Sequence, residues 1–180
     1  MLHKLRLAMG KRDAGYNLKK VIELDEDFFS TEIPEAEKSK PLKRSRGSQK
    51  KSKVFVMEES IPFKGKVTRG GKPRKAGDIK MFVIANCKAE AMDEKVIRYI
   101  ERDSTIDSDD STSYANLKNL VEKHRPKVIP KEDARKVLPR VHIAISNAKR
   151  ALLNAFHDIQ PEFLQSYLNE YCYMFNRRYF

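Results

Sequence analysis

The sequence predicts an α/β fold in which helices flank a mixed sheet and a helical segment follows toward the C-terminus. Short segments rich in β-branched and aromatic residues occupy the first half, and strand and helix patterns then alternate, which is typical of a sheet with crossover connections. The longest regular apolar spacing, at residues 141–156, has a helical period. The 180 residues suit one domain of moderate size.

The composition indicates a partner that carries many negative charges. Lysine and arginine outnumber aspartate and glutamate by 37 to 25, which gives a net charge of +12. Because each neutralised phosphate releases counterions, DNA, RNA and an anionic membrane surface all fit this balance. No apolar run is long enough to span a bilayer, and the charged start lacks the apolar centre of a signal peptide, so we expect a cytoplasmic protein.

The first twenty residues predict an amphipathic helix followed by a turn. Four apolar residues recur there at helical spacing: Leu2, Leu5, Ala8 and Met9. Because an isolated helix this short is marginal without tertiary partners, we expect a chain that is truncated at its front. Cys87 and Cys172 do not form a Cys-x-x-Cys pair, so the sequence supports neither a zinc ribbon nor a disulfide framework.

Strand candidates and two basic loops follow. The strands are predicted at 21–29, 53–58 and 79–87. A first basic loop, 38–53, contains eight lysine or arginine residues and no acidic residue, and a second, 64–75, is basic and rich in glycine. Toward the C-terminus the predicted elements are a helix at 89–102, a strand at 105–108, a helix at 114–123, a strand at 127–129, and helices at 141–156 and 161–173.

Asp25, Asp109 and Asn147 form the candidate site. Period-2 alternation places Asp25 on the same strand face as Glu23, and both Asp25 and Asp109 lie late in their strands, where α/β sheets gather ligands. If the two strands are adjacent, their carboxylates can converge on one cation, to which Asn147 could add an amide oxygen. Mg²⁺ needs few protein carboxylates, and two such ions can assist an in-line phosphoryl displacement.

Structural alternatives exist for these residues. The acidic cluster around Asp25 could be a solvated strand end, and Asp107, Asp109 and Asp110 could start a helix or mimic the Asp-x-Asp of glycosyltransferases. We expect the helix histidines, His142 and His157, to be structural or close to DNA rather than metal ligands.

Several short strings, taken in order, resemble the catalytic part of a bacterial insertion-sequence transposase of the DDE type, in the ISXO-like family with an RNase H-like core. The strings are His3-Lys4-Leu5-Arg6 with Ala8-Met9, Ile22-Glu23-Leu24-Asp25-Glu26, Asp109 with Tyr114, His142-Ile143 with Asn147-Ala148-Lys149-Arg150, and Tyr167-Leu168-Asn169-Glu170 with Asn176-Arg177-Arg178. The resemblance covers almost all 180 residues. Each string is short, but their order and spacing together are specific.

The resemblance implies cutting and joining of DNA strands at transposon ends, with Mg²⁺ (or Mn²⁺) held by an acidic triad. Asp25 and Asp109 match the first two members, and Asn147 falls where many relatives have glutamate and a subgroup has asparagine followed by lysine. Relatives carry a zinc ribbon and a helix-turn-helix module before the catalytic domain. Residues 1–9 resemble the last helix of that module. We therefore divide the chain into a remnant of that region with its linker, 1–20, and a catalytic domain, 21–180.

The expected partner is double-stranded DNA, both transposon ends and target, and we expect a homo-oligomer when the protein is active. Two basic loops of one sign beside a phosphoryl-transfer site favour DNA contact, although they could simply be soluble loops. The candidate DNA-binding residues are Lys43, Arg44, Arg46, Arg69, Lys72, Lys149, Arg150, Arg177 and Arg178. Two other functions stay open: a non-catalytic remnant that binds DNA, and an RNase H-like nuclease that acts outside transposition.

Overall fold

The computed structural model describes residues 2–44, 48–65, 73–86, 88–128, 137–156 and 158–179. The helices are α1 (Leu2–Asp13), α2 (Ala89–Tyr99), α3 (Pro139–Ala155) and α4 (Pro161–Asn176). The strands are β1 (Val21–Ser30), β2 (Lys51–Pro62), β3 (Arg74–Ile84), β4 (Thr105–Asp109) and β5 (Lys123–Lys127). Short 3₁₀ turns lie at Glu35–Glu37, Thr112–Tyr114 and Leu117–Asn119.

The five strands form one mixed sheet in the order β3-β2-β1-β4-β5. The pairs β1–β2 and β2–β3 are antiparallel, whereas β4 runs parallel to both β1 and β5. The central strand is β1, which pairs with the antiparallel half of the sheet on one side and the parallel half on the other. The predicted α/β, RNase H-like sheet with flanking helices and a C-terminal helix is therefore confirmed.

Helices cover both faces of this sheet, and the alternation of side chains along β1 follows from that burial. Ile22 and Leu24 belong to the core that contains Met92 and Val96 of α2. Phe29 belongs to the opposite core, beneath α3 and α4. Consequently the acidic residues at odd positions of β1 face α3, as the period-2 prediction for Glu23 and Asp25 requires.

The two C-terminal helices begin at prolines and bury their predicted apolar faces. Pro139 and Pro161 open α3 and α4, where a missing N–H costs no intrahelical hydrogen bond. The buried side chains of α3 are Val141, Ala144, Ile145, Ala148 and Leu152. In the described part of the chain no helix is long and apolar enough to cross a membrane.

Three element predictions need correction. The predicted helix at 114–123 is a pair of 3₁₀ turns, since the chain must return within a few residues to pair β5 with β4. The predicted strand at 127–129 lies earlier, at Lys123–Lys127. Both basic loops are shorter than predicted, because the ladder extends far enough to pair Ser30 with Lys51 and Pro62 with Arg74.

Helix α1 is present as predicted, but its predicted apolar face is wrong. Leu2 and Leu5 are 63% and 49% exposed, whereas Arg6 and Asp13 are buried. Arg6 forms an ion pair with Glu170 of α4 (2.7 Å), and Asp13 forms one with Arg177 (2.8 Å). The helix therefore docks on α4 through paired charges, which apolar periodicity does not detect.

The two cysteines do not take part in a described disulfide. Cys172 is a buried free thiol whose pKa is raised to about 12 by burial, as expected of a structural cysteine. Cys87 lies outside the described residues.

Candidate functional site

The parallel pairing of β1 with β4 brings the two candidate aspartates to one edge of the sheet. Val21 pairs with Thr105 and Glu23 with Asp107, a constant offset of 84 residues (105 − 21). Asp25 and Asp109 have the same offset (109 − 25), so they continue this register beyond the last paired residues. Asp109 is also the final residue of β4. Asp109 therefore lies at the carboxyl end of β4, whereas Asp25 lies in the middle of β1, just beyond the residues that pair with β4.

Asp25 lies in surroundings that oppose its negative charge. Its side chain is 19% exposed, and its Oδ1 accepts the backbone N–H of Glu26 at 2.8 Å. Burial, followed by the charges of Glu26, Asp109 and Asp27, raises its pKa to about 7, while the backbone hydrogen bond acts in the opposite direction. A bound cation would relieve this repulsion, so the pair Asp25 and Asp109 is suited to hold one.

Two side chains of α3 meet the acidic face of β1. His142 Nδ1 lies 3.4 Å from Asp25 Oδ2, and Lys149 Nζ lies 2.6 Å from Asp27 Oδ2. His142 and Lys149 are seven residues apart, which is about two helical turns and places them on one side of the helix. The strand and the helix are therefore joined by two contacts between carboxylates of β1 and nitrogen atoms of α3.

Asn147 lies on a different side of α3. It follows His142 by five residues, which is a rotation of about 140° around the helix axis. Its exposed side chain lines an open cleft of about 560 Å³ together with Asp27, His142 and Arg150. None of the contacts between described residues joins Asn147 to Asp25 or Asp109. The structure thus brings the two aspartates together and leaves Asn147 along the cleft.

The donor set at this edge suits a hard, well-hydrated cation. Among the described residues, no group of three or more histidine, cysteine, aspartate or glutamate side chains is arranged to hold a metal. Mg²⁺ is often bound by one or two carboxylates, with water and substrate phosphate supplying the other oxygens. Asp25 and Asp109 fit that requirement without a third carboxylate.

Asp107, the other candidate in β4, has a different role. It is buried, and its two oxygens pair with Arg125 Nε at 2.6 Å and Lys127 Nζ at 3.1 Å. These ion pairs link β4 to β5, and they engage both oxygens of the Asp107 carboxylate. Asp110 is exposed beyond the strand end. Asp109 is therefore the carboxylate of this cluster that is placed to act with Asp25.

Two further residues hold the edge in place. Tyr114, which is buried, donates its hydroxyl hydrogen bond to Glu26, so the segment after Asp109 is tied back to β1. Glu23 Oε2 accepts the backbone N–H groups of Arg140 at 2.8 Å and Val141 at 3.2 Å. The strand that carries Asp25 therefore satisfies the free N–H groups at the start of α3.

Sequence reasoning missed the contacts of Glu23, Asp27 and His142. Alternation along β1 was the available signal, because it places Glu23 and Asp27 on the face of Asp25. The heptad separation of His142 and Lys149 was a second signal, because it places them on one helix side.

The predicted DNA-binding residues differ in their exposure and partners. Lys43, Arg44 and Arg150 are exposed, and Lys149 pairs with Asp27. Arg177 pairs with Asp13 and stacks on Tyr173 at 3.7 Å, while Arg178 donates to the carbonyl of Ala76 at 2.7 Å. These two guanidinium groups thus hold the end of α4 against β3 and α1, and DNA contact by them stays a prediction. The remaining predicted residues, Arg46, Arg69, Lys72 and also His157, lie outside the described residues.

Comparison with known proteins gives one result for the chain as a whole. Residues 17–176 match the family model described as the ISXO2-like transposase domain. The match includes every element from β1 to α4 and therefore both aspartates of the sheet edge. No curated protein matches the chain.

Proposed function

The chain belongs to the ISXO2-like transposase family, and from that premise we propose that it is the catalytic domain that cuts and joins DNA strands at insertion-sequence ends. A transposase acts on DNA, and the net charge of +12 suits that partner. The observation that carries the proposal is the common register of Asp25 and Asp109 on adjacent parallel strands.

DDE transposase domains generally use divalent metals, and in this chain Asp25 and Asp109 would hold Mg²⁺ or Mn²⁺, with Asn147 as a weaker third ligand. When bound, such an ion supplies charge neutralisation at the phosphoryl group and a lowered pKa for the attacking water or 3′-hydroxyl. An amide oxygen is neutral, so Asn147 would contribute less to binding than a carboxylate would.

The other residues of the cleft would position the strand. Lys149 and Arg150 would contact phosphates beside the scissile bond, and Lys149 would exchange its ion pair with Asp27 for a phosphate oxygen. His142 would orient Asp25 from the helix side, at 3.4 Å. Glu23 and Tyr114 would keep α3 and the end of β4 at fixed distances from β1, which preserves the geometry that displacement needs.

The proposal is tested with Asp25→Asn and Asp109→Asn, and with Asp110→Asn as a matched control one residue beyond the strand. We expect Mn²⁺-dependent nicking and strand transfer on DNA that carries the element's ends to fall at least about a hundredfold in the first two variants and to persist in the control. The rise in melting temperature on addition of Mn²⁺ should also disappear in Asp25→Asn. Cleavage that survives both substitutions would show that the assignment is wrong.

A second candidate, DNA binding without cleavage, is favoured by one observation. Asn147 is rotated away from the side of α3 that meets Asp25, and Lys149 is engaged by Asp27. If the wild-type chain binds DNA in a salt-sensitive way but no divalent metal produces nicking, this second function replaces the first.

A further inference from the structure

We propose that a recess beside the cleft, lined by both apolar and polar side chains, receives one unpaired nucleobase of the DNA strand whose phosphate lies at Lys149. The recess has a volume of about 240 Å³ and lies between the end of β1 and the last turns of α3. Its floor consists of buried side chains: Phe29, Leu152 and Ile159. Its more accessible rim combines apolar and polar side chains: Phe28, Leu153, Phe156, Ser30, Lys51 and Lys149. The inference rests on the proposed function, since it names the state of the DNA strand that the cleft accepts.

The composition of the recess suits a flat aromatic group. Leu153 is 52% exposed at the rim, so its side chain is accessible to an occupant of the recess. Phe29 and Phe156 contribute aromatic residues to the lining on the side of β1 that faces α3. Aromatic and apolar side chains bind bases of any sequence because every base has a π-face, and each stacked base contributes about 1–3 kcal/mol. A base inside a duplex cannot enter such a recess, so the occupant is unpaired.

The charges at the rim identify the occupant as a nucleotide. Lys51 and Lys149 both line the recess. Lys149 Nζ lies 5.4 Å from the ring centroid of Phe29. A cation that can bind a phosphate and an aromatic ring that can contact a base therefore lie within the span of about one nucleotide. The two lysines favour an occupant that carries negative charge, as a nucleotide does.

The recess is joined to the cleft through Lys149. The same ammonium group that lines the recess pairs with Asp27, two residues from Asp25 on the same face of β1. A nucleotide with its phosphate at Lys149 would therefore neighbour the nucleotide at the two aspartates. Holding its base in the recess would fix the register of the strand relative to the carboxylates, and it would favour DNA ends with unpaired bases.

The test compares two duplexes that differ in one chemical group. Both have the same short 3′ overhang, but in one the overhang bases are replaced by abasic sites, and binding is measured by fluorescence anisotropy in EDTA so that no cleavage occurs. Wild type should bind the overhang with bases at least fivefold more tightly than the abasic one. Leu153→Asn should lose this preference and bind the abasic duplex as wild type does.

Leu7→Asn is the matched control, because Leu7 is 55% exposed on α1 and its replacement makes the same chemical change away from the recess. It should keep the preference for bases. A 2-aminopurine in the overhang supplies a second readout, since its fluorescence should rise when wild type or Leu7→Asn takes the base away from its stacked neighbours, but not with Leu153→Asn.

Four outcomes would overturn the recess assignment. Equal affinity of wild type for both overhangs removes it while leaving DNA binding and cleavage intact, and so does a preference that survives in Leu153→Asn. A change in oligomeric mass in Leu153→Asn with unchanged base preference makes the recess a protein interface. Absence of binding to either duplex overturns the recess and the DNA partner together. In contrast, a base preference in a protein that never nicks DNA supports the recess and counts only against the catalytic proposal.

Discussion

At the scale of single residues, the central strands gather carboxyl groups that resist ionisation. Burial and neighbouring acids raise the pKa of Asp25 to about 7 and that of Glu58 to about 8. Glu58 pairs across the ladder with Glu23, two residues before Asp25. A cation can relieve the repulsion at Asp25, which is at the sheet edge. Glu58 lies inside the sheet, so ionisation of its carboxyl group destabilises the folded protein.

Glu58 gives the protein a predictable dependence of stability on pH. Its folded-state pKa, raised to about 8 first by burial and then by the charge of Glu23, exceeds the ordinary glutamate pKa of 4.5, so between these values the folded chain binds more protons than the unfolded chain. The free energy of unfolding therefore falls as pH rises through this window, by an amount on the order of 4 kcal/mol. We expect Glu58→Gln to remove much of this loss, because the amide stays neutral.

Melting temperatures measured by circular dichroism between about pH 5 and pH 8 check this prediction. Wild type should lose more stability over that range than Glu58→Gln. Glu122→Gln, at an exposed glutamate before β5, should follow the wild-type curve. Parallel curves for wild type and Glu58→Gln would mean that Glu58 is ionised in the folded protein without penalty.

At the scale of elements, the spacing of apolar residues predicted most of the helices and strands. It failed where strand pairing or a short connection overrides the local conformational preference of the chain. Leu117, Leu120 and Val121 have helical spacing, but 3₁₀ turns satisfy the same spacing and bury Leu117 and Val121. Residues 123–127 contain no β-branched residue, and they form a strand only because β4 offers its free edge. Edge pairing is a tertiary property that local propensity does not contain.

The candidate site likewise combines features that the local sequence predicts with features that depend on tertiary packing. The common face of Glu23 and Asp25 follows from the period of a strand and was predictable. The adjacency of β1 and β4 had to be assumed, because strand order is not a local property. The direction of Asn147 depends on the rotation of α3 against the sheet, which is set by the packing of Val141 and Ala148. Sequence could place Asn147 on a helix but not on one of its sides.

The docking of α1 on α4 is the clearest case of an element held by a polar contact. The Arg6 side chain is 7% exposed, pairs with Glu170, and lies with its guanidinium 4.1 Å from the ring centroid of Tyr167. Lysine cannot reproduce both the fork and the planar stack. We expect Arg6→Lys to lower the free energy of unfolding by about 1–2 kcal/mol, measured by urea denaturation.

Arg12→Lys is the matched control, because Arg12 is exposed on the same helix and the change should alter stability by less than about 0.5 kcal/mol. If the two variants unfold at the same urea concentration, α1 does not depend on Arg6 for its position. A loss in Arg6→Lys alone would support the view that paired charges, rather than the exposed leucines, hold this helix.

At the scale of the whole molecule, acidic and basic side chains lie in different regions. Asp27 of β1 lines the cleft, Asp25 lies two residues before it on the same strand, and the basic loop follows the end of β1. Lys43 and Arg44 of that loop are exposed. A strand of DNA can therefore be attracted by the loop while its scissile phosphate meets carboxylates that require a cation. Under the proposed function, we expect binding to depend on salt and cleavage to depend on metal.

The salt dependence of DNA affinity tests this separation. Each phosphate contact contributes about 0.9 to the slope of log K against log salt concentration, so replacing both Lys43 and Arg44 by glutamine should reduce the slope by about 1.8. Anisotropy titrations with one duplex between about 50 and 200 mM salt measure it. The control replaces Arg102 and Lys123 by glutamine, which removes the same charge from exposed positions at the opposite edge of the sheet. A slope that changes equally in both double variants would show that affinity follows net charge alone, and that the loop does not place the strand at the cleft.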